Sequence, residues 1–230
     1  MLRQTLAIQG IPAILWGEPS EKLYIHVHGK LSRKEHAESF ARIARDQGWQ
    51  TLSFDLAEHG ERKDGARLDI WSGIRDLTAI ADFAFGRWKR LRLYGCSLGA
   101  WFALNAYAQR PFEKCLFQSP IADMQWLVEQ MMLWFSVTPE QLRTQGEIHT
   151  PIDPLRWDYY QYILRHPIRE WPIPTEILFA EKDDLQSMQI LQEFARRFDC
   201  RLTVAQGCTH AFMEPGDNQT VADWLKKTIS

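Results

Sequence analysis

The chain has 230 residues, 45% of them hydrophobic and 24% charged, with a net charge of −2. That length suits one domain with a sizeable core, and the balance is that of a globular protein rather than a disordered one. Near-neutral charge argues against nucleic acid or an anionic membrane as partner, and no apolar run reaches the roughly 20 residues that cross a bilayer.

The opening residues Met1 to Thr5 lack the continuous apolar core of a signal peptide. The four cysteines, Cys96, Cys115, Cys200 and Cys208, show no C-x-x-C spacing and read as buried thiols of a reducing compartment. Together these features predict a cytoplasmic protein. They leave the oligomeric state unknown.

Thr5 to Ile8 and Ala13 to Trp16 read as an antiparallel pair at one sheet edge, joined through Gly10 and Pro12. Leu23 to Val27 is a buried strand that ends in His28-Gly29-Lys30-Leu31. Ser32-Arg33-Lys34-Glu35 fits a capping box, and Ala37, Phe40, Ala41 and Ala44 then repeat at helical spacing up to Gly48. Gln50 to Phe54 is the next strand, followed by the charged loop Asp55 to Arg62. Ile70, Ile74, Leu77, Ile80 and Ala81 mark a helix ending near Gly86. The run from Leu91 is a buried strand that turns at Gly95-Cys96-Ser97-Leu98-Gly99 into a helix over Leu98 to Gln109. Lys114 to Gln118 is another strand.

From Ile121 to about Trp171 the pattern changes to a block rich in Met, Trp and Tyr, punctuated by prolines. Its Met and Trp residues read either as ordinary core or as the apolar face of a ligand pocket. Met131, Trp134, Phe135, Trp157 and Tyr160 are candidates to line such a pocket. Thr175 to Ala180 returns to strand, Gln186 to Phe198 to helix, Leu202 to Ala205 to strand and Thr220 to Ile229 to a closing helix. Strand and helix alternate on both sides of the block. That order predicts an α/β fold with a mostly parallel sheet and helices on both faces, because parallel strands need crossover connections. Ligands of such sheets bind beyond the carboxyl ends of the strands.

Three reactive side chains fall at such strand ends. Gly95-Cys96-Ser97-Leu98-Gly99 fits G-x-S-x-G, which holds a serine on a tight strand-to-helix turn with its hydroxyl clear of the sheet. Asp183 and Asp184 follow the strand ending at Ala180, and His210 follows the strand ending at Ala205. A serine hydroxyl is a poor nucleophile until a base takes its proton; histidine suits that task, and a carboxylate fixes the imidazole tautomer. Asp183 and Asp184 compete for the acid role.

On these residues, with His28-Gly29 and the loop Asp55-Leu56-Ala57-Glu58-His59-Gly60, the chain resembles the α/β-hydrolases over nearly its whole length. The resemblance implies an α/β-hydrolase fold in one domain, residues 1–230, with a small helical cap over the carboxyl ends of the strands inserted at 121–171. It implies Ser97 as nucleophile, Asp183 as acid and His210 as base. It places the oxyanion on backbone N–H groups of Leu98 and Lys30. Two departures stand out: Ala180 where glycine is usual, and Glu58-His59-Gly60-Glu61 where smaller residues are usual.

The expected activity is cleavage of a carboxylic ester of a small to medium, largely apolar acyl compound, with no metal and no organic cofactor. A thioesterase or an amidase would use the same machinery, and a hydrolase-fold protein could bind its ligand without turning it over. His26 and His28 share a strand face, but no third ligand is spaced to complete a metal site. His28 instead suits hydrogen bonding that shapes the oxyanion loop, and His59 is a second candidate for substrate contact. Cys96 occupies the wrong position in the turn for a nucleophile and reads as a small buried thiol.

Overall fold

The computed structural model describes residues 1–229. Buried central strands, apolar on both sides, assemble with helices covering both faces, and more exposed strands close the two sheet edges. The strands are β1 (Arg3–Ile8), β2 (Ile11–Trp16), β3 (Lys22–Val27), β4 (Gln50–Phe54), β5 (Arg90–Cys96), β6 (Cys115–Gln118), β9 (Thr175–Lys182) and β10 (Arg201–Thr209). Among the described residues these form an eight-stranded sheet in the order β1-β2-β4-β3-β5-β6-β9-β10. β1, β2 and β4 pair antiparallel, and from β4 to β10 every pairing is parallel.

β3 shows how the faces divide. Leu23, Ile25 and Val27 point into the larger core, with Leu77 and Ile80 of α2 (Ile70–Phe85) and Ala103 of α3 (Leu98–Ala106). Tyr24 points the other way, against Phe40 and Ala44 of α1 (Glu38–Asp46) and Trp224 of α8 (Asp217–Thr228). The period of two along the strand produces this division.

Between β6 and β9 lie α4 (Met124–Trp134), α5 (Pro139–Gln145), a two-stranded ribbon of β7 (Glu147–Ile148) with β8 (Leu155–Arg156), and α6 (Trp157–Arg165). α7 (Met188–Arg197) joins β9 to β10. No helix among the described residues is long and apolar enough to cross a membrane.

Two local expectations are corrected. Ser32 does not cap a helix: its Oγ meets His36 Nδ1 at 3.0 Å, Lys34 to Ala37 form one 3₁₀ turn, and α1 begins only at Glu38. The cause lies inside the molecule. Lys34 turns inward, its N–H and its ammonium both donating to Asp55, at 2.9 and 2.7 Å. The helix after the serine turn ends at Ala106 rather than Gln109. Tyr107 leaves the helical conformation and donates its hydroxyl to Leu77 O at 2.7 Å. Pro111 follows shortly after and disfavours helix at Arg110.

Candidate active site

The site grows from two neighbouring strands. β3 and β5 lie side by side, with Val27 opposite Gly95, so the segment leaving β3 at His28 runs beside the turn leaving β5 at Ser97. Ser97 has φ 49° and ψ −118°, a strained conformation for a residue with a side chain. Its N–H donates to Gln118 O at 3.1 Å, and its C=O accepts from Ala100 N at 3.0 Å. Close packing explains glycine on both sides of this contact, after β5 and after β3. A Cβ on Gly99 would lie 2.4 Å from His28 O, and one on Gly29 would lie 3.1 Å from Ser97 Cβ.

Ser97 Oγ lies 2.8 Å from His210 Nε2, and His210 Nδ1 lies 2.7 Å from Asp183 Oδ2. The contact with the carboxylate fixes the tautomer: Nδ1–H donates to Asp183, which leaves Nε2 to accept from the serine hydroxyl. The Asp183 side chain has no solvent exposure. Its charge is held by three donors, His210 through Oδ2 and the N–H groups of Leu185 and Gln186 through Oδ1, at 2.9 and 3.1 Å. The structure thus brings Ser97, His210 and Asp183 together, while Asp184 faces solvent.

The loop after β3 is anchored by its histidines. His28 Nδ1–H donates to Gly29 O at 2.7 Å, and its Nε2 accepts from Leu56 N at 3.1 Å. Burial pushes its pKa down to about 4, with the Gly29 contact opposing, so the ring is neutral as this pairing requires. His59 Nε2 accepts from Leu31 N at 3.0 Å. It therefore braces the loop rather than pointing at a ligand. Leu31 is held at φ 62°, left-handed backbone unusual for leucine. His26 stacks on Tyr94 at 4.5 Å between ring centres. Among the described residues no group of three His, Cys, Asp or Glu is placed to hold a metal ion.

A cavity of about 120 Å³ reaches Ser97 and Leu98 from beneath the 121–171 segment. Its apolar wall comes from one face of α4, through Met124, Leu127, Val128 and Met131, with Phe102 and Ile121 opposite. That i, i+3, i+4, i+7 spacing is the sequence signal that picks these residues out. Of the five side chains expected to line a pocket, Met131 and Tyr160 do. Trp134 instead stands 45% exposed on the outer face of α4. Phe135 and Trp157 pack half-buried against the core, away from the cavity. At the rim, Lys30 Nζ donates to Ile152 O at 2.7 Å and pairs with Asp153 at 2.9 Å; Arg156 pairs with Asp69 at 3.1 Å.

All four cysteines are free, Cys115 and Cys208 buried and Cys96 and Cys200 only half-buried. Burial, with the nearby Asp183 carboxylate adding to it, pushes the Cys96 thiol up to about 12, so it is no thiolate at neutral pH.

No protein-family model matches the chain, and no curated protein matches it by sequence. Solved structures do match it. Est1E from Butyrivibrio proteoclasticus, with ferulic acid bound, is 19% identical with a TM-score of 0.81, covering 97% of this chain and 96% of its own. Alpha/beta hydrolase domain-containing protein 10 from mouse is 18% identical with a TM-score of 0.76, over 100% and 98% of the two chains. The esterase Pf2001 of Pyrococcus furiosus is 18% identical with a TM-score of 0.68, over 100% and 94%. The protein has the α/β-hydrolase fold.

Proposed function

We propose that this protein is a serine hydrolase that cleaves a carboxylic ester of a small to medium, largely apolar acyl substrate. The observation that carries the reading is the unbroken run from Ser97 Oγ through the His210 ring to Asp183, with spacings of 2.8 and 2.7 Å. A serine, an imidazole and a solvent-free carboxylate in that order form a device for moving one proton.

In this reading Ser97 Oγ attacks the ester carbonyl carbon as His210 Nε2 takes its proton. The carbonyl oxygen becomes an oxyanion and accepts from the backbone N–H groups of Leu98 and Lys30. Backbone donors aimed beforehand contribute about 3 kcal/mol each to such a transition state. As the tetrahedral adduct collapses, the ester C–O bond breaks and His210 returns the proton to the departing alcohol. Water then loses a proton to His210 and attacks the acyl group on Ser97, releasing the acid. Asp183 remains ionised throughout and stabilises the imidazolium.

The segment 121–171 serves as a cap, and the apolar face of α4 receives the acyl group. The substrate is a small molecule, not nucleic acid or a membrane. The esterase name of the Pyrococcus neighbour and the carboxylic acid bound to Est1E support an ester over a thioester or amide. The four free thiols support a cytoplasmic setting. The test is release of p-nitrophenol from short p-nitrophenyl esters, beside matched thioester and anilide substrates. Ester turnover that Ser97→Ala abolishes upholds the reading. Faster turnover of the thioester or anilide reassigns the substrate class, and ligand binding without turnover makes the protein a binding module.

A further inference from the structure

A second, larger cleft of about 400 Å³ lies behind the cavity that holds Ser97, lined in part by Ile163, Ile168, Ile190 and Phe194. The two share a wall. Met124 lines both of them. Beside it, Trp101 faces the larger space and Tyr159 the smaller, and Trp101 Nε1–H donates to Tyr159 Oη at 3.0 Å.

The parts of this wall differ in stiffness. Trp101 and Tyr159 are planar rings locked together by a hydrogen bond. Met124 is an unbranched thioether with three rotatable side-chain bonds and no polar anchor. Its backbone, however, cannot retreat. Buried Gln186 accepts from Ala122 N and Asp123 N at 2.9 and 2.8 Å and donates to Asp123 O at 3.1 Å. Asp123 then caps α4, accepting from Trp126 N at 2.9 Å. The start of α4 is therefore fixed relative to Asp183, whose Oδ1 accepts from Gln186 N at 3.1 Å. Only the Met124 side chain is left to set the depth of the wall.

From this we infer that Met124 is the specificity-determining partition of the site: it confines the acyl group to the small cavity and closes off the larger cleft. The inference rests on the serine-hydrolase reading above. With about 120 Å³ against about 400 Å³ in the cleft, the cavity by Ser97 suits esters of short acyl groups. A longer chain meets the thioether. With Met124 cut back, the same chain passes into the larger cleft, whose lining mixes Ile163, Ile168, Ile190 and Phe194 with charged Glu193, Arg196 and Arg197; each methylene it buries against the apolar side chains is worth up to about fourfold in binding.

The experiment is a chain-length profile of kcat/KM on p-nitrophenyl esters from acetyl to decanoyl, using the full chain. Wild type is expected to lose about tenfold or more from acetyl to decanoyl. Met124→Ala is expected to raise the decanoyl-to-acetyl ratio about tenfold or more. Ile168→Trp added to Met124→Ala fills the cleft and returns the ratio to the wild-type value. Met124→Val repeats the test with a smaller truncation should the alanine variant lose its fold. An unchanged ratio in the folded truncation variants overturns the inference, as does a wild type that already prefers decanoyl. Failure of the hydrolase reading looks different: wild type turns over no ester of any length, and both proposals fall.

Discussion

Lys34 and Asp55 meet out of solvent, Nζ 2.7 Å from Oδ2, with side chains 1% and 0% exposed. Burial alone would lower the lysine pKa; its hydrogen bonds to Asp55, Glu35 and Glu61 outweigh that and raise it. Asp55 Oδ2 also accepts from Glu61 N at 2.9 Å. The pair therefore clamps the segment after β3, which carries Lys30, to the loop after β4. Removing one partner of a buried pair leaves the other charge uncompensated, at a cost of about 3 to 5 kcal/mol. Asp55→Ala is expected to lose that much in urea denaturation. A loss below about 1 kcal/mol would show that the pair does not hold these loops.

The two carboxylates after β9 should separate sharply. Asp183 touches His210 at 2.7 Å, and Asp184 faces solvent. Asp183→Asn leaves the ring without its orienting acceptor and is expected to lower kcat by about 10⁴. Asp184→Asn is expected to stay within about threefold, the mark of an exposed site away from the chemistry. Steady-state kinetics on one short ester compares the two.

Lys30 joins the loop beside Ser97 to the segment above the cavity through Ile152 O and Asp153. Lys30→Ala removes this tether and leaves the backbone N–H in place. Amide exchange in residues 149–154 is expected to speed up, and KM to rise more than kcat falls. A fall confined to kcat would place the side chain in the chemistry instead.

Acid stability carries a signature of the buried histidines. Burial pushes His26 down to about 3 and His28 to about 4, with His28 adding to the shift of His26. An unfolded histidine titrates near 6.5. Below that pH the unfolded chain binds protons that the folded chain refuses, so stability is full above about 6.5 and falls toward 3 to 4. Each such histidine adds a slope of up to about 1.4 kcal/mol per pH unit. His26 sits among aromatic rings, stacked on Tyr94, so phenylalanine can take its place. His26→Phe is expected to flatten the slope by that amount in denaturation measured between pH 4 and 6.5. An unchanged slope contradicts the assignment.

What could be read in the sequence follows from how local each cause is. The serine turn is specified within five residues, and Asp183, Asp184 and His210 follow strand ends; order along the chain left the two carboxylates as rivals, and only the contact with His210 separates them. The parallel sheet followed from alternation. Tertiary partners decided the remainder. Lys34 reads as a helix-start residue until Asp55, 21 positions on, draws it inward. Lys30 meets a carbonyl 122 positions away. On α4 the apolar face was legible as a spacing, but Trp134 offers the same hydrophobicity outside that face and stands in solvent. The cavity boundary at Met124 depends on Gln186, 62 positions later, which no local pattern announces.

In the proposed reaction Ser97 is the nucleophile, activated by His210 and Asp183. Fluorophosphonate labelling followed by peptide mass mapping tests it most directly, with Ser97→Ala and His210→Ala alongside. One phosphonylated residue, Ser97, is expected in the wild type, with both variants resisting. A wild type that stays unlabelled while a control hydrolase reacts, or a label on any other residue, would contradict it.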